Sequence, residues 1–555
     1  MNKNKIDKFM QTSTTNKMTN KINLHFSPRF EWLQYDKKMF FRSAAFANQQ
    51  LQQEQEVFDH LRDAKTEDEW IAAIKKINSF FAVVHHQSEQ CYAAVDRVRS
   101  IPLFYGVEND NFYLSDDAKW VQEKVGDKEH DPLAETEFLL TGYVTGSDTL
   151  YPQVKQLQAG ECLFVKNSAM GLQLSKKTYF QYHHKYSDTV KESELLEQLD
   201  EVLNNVFQRL VNLAQGRTLV IPLSGGLDSR LVALMLKRIG YDNIITFSYG
   251  KPGNKESKTS QEVAENLNLR WEFVPYSRDA WYRWFHSHER KTHYQISDTL
   301  SSSFHLQDWP AIWELKQKCV IPENSIFIPG HSADLLEGSR STSMPHLYQS
   351  EQKQISSDDL VAAIIKYHYR LRSWGDSYNQ FAAAIRKKIL TSLDDLQQFP
   401  DIASAFESWD MKERQAKFVV NSVRVYEFWE YDWWLPFFDL EFIDFWSNVP
   451  LQYRVNRKLF GVYIQRLYLT MLNVDKQFTT LSIMDIFKPY IKSNSLLMFI
   501  IKKMELKFYS PYDHHSLCWY GCLPKKIFNK QYSGIENINS FLSLEYLGKI
   551  NFNDE

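Results

Sequence analysis

The stretch VIPLSGGLDSRLVALML, residues 220 to 236, sets a Ser-Gly-Gly-x-Asp-Ser turn between an apolar strand and an apolar helix. A glycine pair at such a turn lets the backbone pass close to a ligand, and the helix start offers unpaired N–H groups to an anion. A phosphate is the guest this chemistry suits. Loops that serve γ-phosphate transfer end in Gly-Lys-Ser/Thr, whereas here Leu227 and Asp228 follow the glycines. Transfer of a γ-phosphate is therefore not the first expectation.

The surrounding pattern predicts the elements that must hold this turn. TLVIPL (218–223) reads as a buried parallel strand, Asp228 to Ile239 as a helix stopped by Gly240, and NIITFSY (243–249) as a second strand. SQEVAENLNL is expected to be a helix, RWEFVPY (270–276) a third strand, and SIFIPG (325–330) a further strand entering HSADLLEGS. This alternation predicts an α/β domain with a parallel sheet. Ligands of such sheets sit outside the carboxyl ends of the strands, where Leu223 to Ser229, Ser248 with Tyr249, and Pro329 with Gly330 converge. Leu195, Leu199, Val202, Val206, Leu210 and Leu213 form one helical face that opens this domain. Ahead of it, FFAVVHH, QCYAAVDR, IPLFYG and NFYLS predict mostly antiparallel sheet. Beyond residue 360 the chain reads as helical and very aromatic.

With 555 residues the chain exceeds one core. Lys plus Arg number 65 against 68 Asp plus Glu, a balance that offers no footprint for nucleic acid and favours a small-molecule partner. Cys91, Cys162, Cys319, Cys518 and Cys522 are sparse and irregular, as expected of free thiols in the cytoplasm. Residues 1–21 lack the apolar core of a signal peptide and read as a disordered lead-in. The apolar run LLMFII (496–501) is far short of the roughly 20 residues of a spanning helix, so no membrane span is expected. The adjacent histidine pairs His85/His86, His183/His184 and His514/His515 are poor chelators, because neighbours on a strand face opposite ways. The aromatic run YEFWEYDWWLPFF (426–438) reads as core packing, with a few rings near the acceptor.

The Ser-Gly-Gly-x-Asp-Ser turn resembles the pyrophosphate motif of the ATP pyrophosphatases, in the version of the asparagine synthetase family. FSYGKPGNKESKTSQEVAENLNLRWEFV, PGHSADLLEGS and LPFFDLEFIDFWSNVP are similar to that family's later segments in order and spacing. The resemblance implies that ATP is split to AMP and pyrophosphate, with amides near Gly225 and Gly226 on the leaving phosphates. It implies Ser224 and Ser229 hydroxyls on phosphate, Tyr249 beside adenine, and Asp228 and Asp334 as carboxylates for Mg²⁺. AVDRVRSIPLFYG, FYLSDDAKWV and YPQVKQLQAGECLFV are similar to the class II glutamine amidotransferase domain that precedes the synthetase domain. The implied architecture is multidomain, α+β then α/β. An Ntn-hydrolase-like antiparallel sandwich (22–190) leads into an adenine nucleotide α-hydrolase-like ATP-pyrophosphatase domain (191–480) with a helical C-terminal part. A C-terminal extension of unassigned role (481–555) follows.

Several positions depart from the family. Its amidotransferase attacks glutamine with an N-terminal cysteine exposed by removal of Met1; here Asn2 follows Met1 and the first cysteine is Cys91, so no glutaminase activity is expected. His331 stands where a glutamate is usual, and Leu335 follows Asp334 where an acid pair is usual. A histidine there, with an unperturbed pKa near 6.5, suits a base for the incoming amine. The family's phosphate-neutralising lysine falls, counting eleven residues from Pro450, on Gly461; Lys458 and Arg230 are the candidate substitutes. The expected reaction adenylates a carboxylate and passes it to an amine or ammonia, as in the related β-lactam synthetases and lasso-peptide cyclases, which also lack glutaminase function. A sugar or peptide acid is favoured. Aspartate with free ammonia, modification of a nucleobase, and an inactive nucleotide-binding partner subunit stand as alternatives. A homodimer, or a separate amine-supplying partner, is compatible with this reading.

Overall fold

In a computed structural model, residues 21–472 and 510–552 are described, apart from 29–31, 37, 43–44, 48–49, 53, 169, 186–188, 332, 349–354, 394 and 535. The lead-in at 1–20, the run at 496–501 and the rest of 473–509 lie outside the described residues. No helix among the described residues is long and apolar enough to cross a membrane.

The N-terminal part stacks two sheets and a pair of helices. One sheet has the order Gly171–Thr178, Glu161–Ser168, Gln90–Val95, Ala82–Gln87, Met39–Arg42, Leu33–Tyr35, and every pairing in it is antiparallel. The other orders Ile22–His25, Asn111–Ser115, Phe104–Glu108, Lys155–Gln156. Its first pair is parallel, a departure from a wholly antiparallel sandwich. Period-two alternation explains the layering. Ala82, Val84, Ala93 and Val95 face the second sheet with Leu103, Phe112 and Leu114. Val83 and Ala94 turn the other way, onto Phe58, Leu61, Trp70 and Ile74 of the helices Glu54–Arg62 and Glu67–Lys75. IPLFYG begins as loop, and its strand is Phe104–Glu108.

The amphipathic helix Glu192–Ala214 leads into a five-stranded parallel sheet ordered Arg270–Pro275, Ile244–Gly250, Leu219–Pro222, Ile326–Phe327, Asp432–Trp433. Leu219, Val220 and Ile221 are fully buried, as befits a central parallel strand covered on both faces. Helix Leu227–Arg238 follows this strand directly. The next helix, Lys255–Asn266, starts five residues before SQEVAENLNL because Asn254 caps it, accepting from Ser257 N–H at 2.9 Å. The fifth strand lies inside YEFWEYDWWLPFF; Asp432 pairs with Ile326 and Trp433 with Phe327, so this run supplies a sheet edge as well as core.

The C-terminal segment 510–552 folds back onto this domain. Lys251 N–H donates to Ser516 O at 2.6 Å, Trp281 Nε1 to Leu517 O at 2.6 Å, and Arg290 pairs with Glu545 at 3.3 Å.

One contact joins the loops of the first and fourth strands. A Cβ at Gly330 would lie 2.6 Å from Ser229 N and 2.9 Å from Asp228 C, so only glycine lets the second loop meet the helix start. Gly330→Ala is expected to destabilise the fold by about 1–3 kcal/mol through overpacking, read as a lower urea midpoint at unchanged m-value. An unchanged midpoint would show that the two loops are free to separate.

Candidate functional site

The helix Leu227–Arg238 starts at Gly226 without a side-chain cap, which leaves its first N–H groups to a ligand. Within the turn, Ser229 Oγ accepts from Ser224 N–H at 3.0 Å and lies 3.1 Å from Ser224 Oγ, while Gly226 N–H donates to Ser224 Oγ at 3.2 Å. Ser229 is buried and its hydroxyl braces the loop; Ser224 is exposed at the crevice. The expectation that both hydroxyls serve phosphate therefore fits Ser224 alone. Leu223 is a core side chain whose N–H donates to Phe247 O at 2.8 Å. At Gly225 a Cβ would make only ordinary 3.6 Å contacts, so no protein neighbour demands glycine there.

The flanking loops arrive as the sheet dictates. Ser248 is buried and its Oγ has no hydrogen-bond partner, an unspent group at the strand end. Tyr249 stacks on Tyr276 at 5.2 Å and accepts from Gln307 Nε2 at 3.2 Å. Pro329 is buried and Gly330 carries the close approach. Together these place Asp228 and Asp334 side by side.

These acids form a charged cluster with residues that sequence spacing did not single out. Arg457 Nη2 contacts both Asp228 Oδ1 and Glu337 Oε1, and Glu337 is completely buried. Arg340 Nη1 holds Asp334 Oδ2 at 3.1 Å, and its Nε donates to Asp410 Oδ2 at 2.7 Å. Burial pushes Asp228 up to about 6, opposed by Arg457 and reinforced by Asp334. For Asp334 burial also acts upward, but Arg340, Arg414 and Arg457 outweigh it and hold the carboxyl below its ordinary range. Burial drives Glu337 well above its usual range.

Lys458 is not part of this cluster. Its Nζ pairs with Glu192 at 2.7 Å on a side chain 51% exposed, and the residue before it supplies the cation instead. The reason is local backbone: Asn456 and Arg457 have φ of 57° and 59°, a left-handed turn that rotates Arg457 inward and that helical spacing does not anticipate. Arg230 Nη2 donates to Gly225 O at 3.4 Å, its Nε is buried without a partner, and burial lowers its pKa. It backs the glycine loop.

His331 lies beside the acids with Nδ1 3.3 Å from Ser422 Oγ. That hydroxyl donates to Val419 O at 2.6 Å, so it accepts from His331; Nδ1 carries the proton and Nε2 is the open acceptor. Burial, with the neighbouring His305 adding to it, depresses His331 to about 4. The expectation of an imidazole poised near 6.5 is thus corrected: His331 is neutral across the physiological range and a weaker base. Ser422 follows the π-helical segment Met411–Val419, an irregularity often found at functional sites.

Residues 202–467 match the family described as asparagine synthase, and residues 65–180 match the glutamine amidotransferase domain. The chain thus carries an asparagine synthase-type domain with an amidotransferase-type domain ahead of it. No curated protein matches it. Among solved structures, an allosteric regulatory enzyme of purine biosynthesis is 10% identical, with 42% of this chain and 44% of that one covered and a TM-score of 0.18. An NH3-dependent NAD synthetase from Campylobacter jejuni is 16% identical, covering 37% of this chain and 96% of that one, with a TM-score of 0.19. A glutamine phosphoribosylpyrophosphate amidotransferase from B. subtilis is 9% identical, covering 54% and 62%, with a TM-score of 0.18. Structural likenesses of this size carry no functional weight.

In a pH titration followed by NMR, the His331 ring is expected to protonate with a midpoint near 4, leaving it neutral above about pH 5. A midpoint at or above 6.5 would contradict the buried setting described for it.

Proposed function

We propose that this chain is an ATP-dependent ligase that adenylates a carboxylate and transfers the acyl group to ammonia or an amine. The observation that carries the reading is the uncapped helix start behind Ser224–Gly226, set against Asp228 and Asp334 across the Gly330 contact. In this scheme a substrate carboxylate oxygen attacks the α-phosphorus of ATP, and the bond to pyrophosphate breaks. The amine then attacks the acyl carbon, AMP leaves, and the amine gives up a proton. The Leu227 N–H at the uncapped helix start receives the phosphate charge, Ser224 donates to it, and the Ser248 hydroxyl is available to the nucleotide. His331, in the second loop, has its Nε2 open to accept that proton.

Asp228 and Asp334 suit Mg²⁺, which commonly takes one or two carboxylates and completes its shell with phosphate oxygens and water. The Asp334 side chain is 38% exposed, and among the described residues no cluster of three or more acidic, His or Cys groups could hold an ion by itself. Bound Mg²⁺ would neutralise polyphosphate charge. The donor set therefore fits an ion that arrives with the nucleotide.

The N-terminal domain is proposed to be scaffold rather than glutaminase. Its two cysteines are buried; burial pushes the Cys91 thiol up to about 12 and the Cys162 thiol higher still, so neither is a thiolate able to attack an amide. Ammonia or an amine would then come from solution or from a partner, and the cytoplasm is the proposed setting. The division into 22–190, 191–480 and 481–555 is offered as the working domain plan, with the last segment's described part serving the synthase domain.

Exchange of labelled pyrophosphate into ATP is expected to depend on an added carboxylate, drawn from a panel of amino, sugar and peptide acids, with AMP as the nucleotide product. Asp228→Asn should slow exchange by roughly 10²-fold or more. ADP as product would sink the assignment, and no exchange with any acid would favour a nucleotide-binding partner subunit. With glutamine supplied, glutamate release should stay at background; release that matches product formation would restore the amidotransferase role.

A further inference from the structure

Arg457 makes little use of its donors. A guanidinium offers five N–H groups, yet here the single nitrogen Nη2 serves both Asp228 and Glu337, while Nε is buried without a hydrogen-bond partner. The guanidinium also lies over the Phe460 ring at 5.4 Å. Its backbone, by contrast, is firmly held. Asn456 and Arg457 are left-handed, Asn456 N–H donates to Ser341 Oγ at 2.7 Å, and the preceding Arg454 is buried on Glu407 at 2.6 Å. Gly338, with φ of +89°, packs so tightly on this segment that a Cβ would lie 2.5 Å from Arg454 O. Left-handed conformations at consecutive non-glycine residues persist only where their surroundings impose them.

This construction fixes the backbone and leaves the charged tip as the movable part. Asp228 is the carboxylate proposed to meet the metal of the nucleotide, and the same oxygen atom that faces Arg457 cannot serve both cations fully. Resting on the ligase reading above, we propose that Arg457 is a phosphate clamp held in reserve by Asp228. When the metal-loaded nucleotide engages Asp228, the guanidinium keeps its contact with Glu337 and turns its unused N–H groups to the pyrophosphate. Glu337 is the anchor that makes this exchange feasible. Because Glu337 is wholly enclosed, complete departure of Arg457 would strand a buried acid, whereas partial rotation does not. Lys458 and Arg230 cannot substitute, the first being engaged with Glu192 and the second lying behind the Gly225 carbonyl.

The proposal makes an unusual demand: removing a metal ligand should improve metal-free anion binding. Inorganic pyrophosphate is titrated calorimetrically into the full-length protein, in EDTA and in Mg²⁺, for wild type, Asp228→Asn, Arg457→Met and the double variant. Wild type should bind pyrophosphate with Mg²⁺ and weakly without it. Without metal, Asp228→Asn should tighten binding about tenfold, the scale of one charge-assisted hydrogen bond released to a ligand. In the Arg457→Met background the same change should have little effect, and Arg457→Lys should retain part of the gain. Tightening that survives in the double variant would mean simple loss of a negative charge and overturn the clamp, as would no tightening at all. Failure of wild type to bind pyrophosphate even with Mg²⁺ would instead overturn the ligase reading of the crevice. Melting curves identify any variant that does not fold, and the uncharged Arg457→Gln then takes the place of Arg457→Met.

Discussion

The contact between Gly330 and the backbone at Asp228 and Ser229 is the constraint on which the site depends. Parallel strands deliver their loops to one edge of the sheet, but they do not dictate how closely two loops meet. A missing side chain at position 330 settles that distance here. It brings Asp334 against Asp228 and so concentrates carboxylates at a helix start that favours negative charge. Their mutual repulsion in a poorly solvated place has to be offset, and Arg340 and Arg457 do so from two further segments of the chain. A steric fact at one glycine thereby fixes which charges the rest of the domain must provide.

Much of this was legible in the sequence because it rests on short-range rules. The apolar run at 218–223, the helix after it and the glycine pair between them announce a strand-turn-helix unit, and Leu219–Pro222 and Leu227–Arg238 form it. The convergence of Ser224, Tyr249 and Gly330 follows from parallel topology alone. What stayed hidden depends on tertiary placement. The inward turn of Arg457 depends on the left-handed pair at 456–457, which regular helical spacing does not anticipate. Glu337 looks like an ordinary helix-end acid until its burial is known, and the fall of His331 to about 4 comes from enclosure and from His305, distant in sequence. The strand at Asp432–Trp433 was masked by aromatic density that suits core and sheet edge equally. The role of 510–552 was unreadable because its tie to the domain runs through individual bonds such as Trp281 to Leu517 rather than through any periodic face.

The union of the two domains rests on enclosed charges and on backbone carbonyls that they reach across the boundary. Lys388, on the synthase side, reaches Glu137 at 2.6 Å and Asp148 at 2.9 Å. Lys417 pairs with Glu413 at 2.5 Å and donates to Val144 O at 2.9 Å and Gly146 O at 2.6 Å, while Glu413 accepts from Gly146 N–H. Arg424 reaches the Ser100 carbonyl, and Asn78 donates to Asp439 at 3.2 Å. Lys417, Glu413 and Glu137 are completely buried. Partners of enclosed charges are costly to remove, since breaking such a pair leaves an uncompensated ion worth roughly 3–5 kcal/mol. The helical segment that carries Glu413 and Lys417 continues to Ser422, which sets the tautomer of His331. The N-terminal domain is thus tied through two buried charges to the element that orients the second loop. That mechanical link couples the packing of the N-terminal domain to the placement of the second loop.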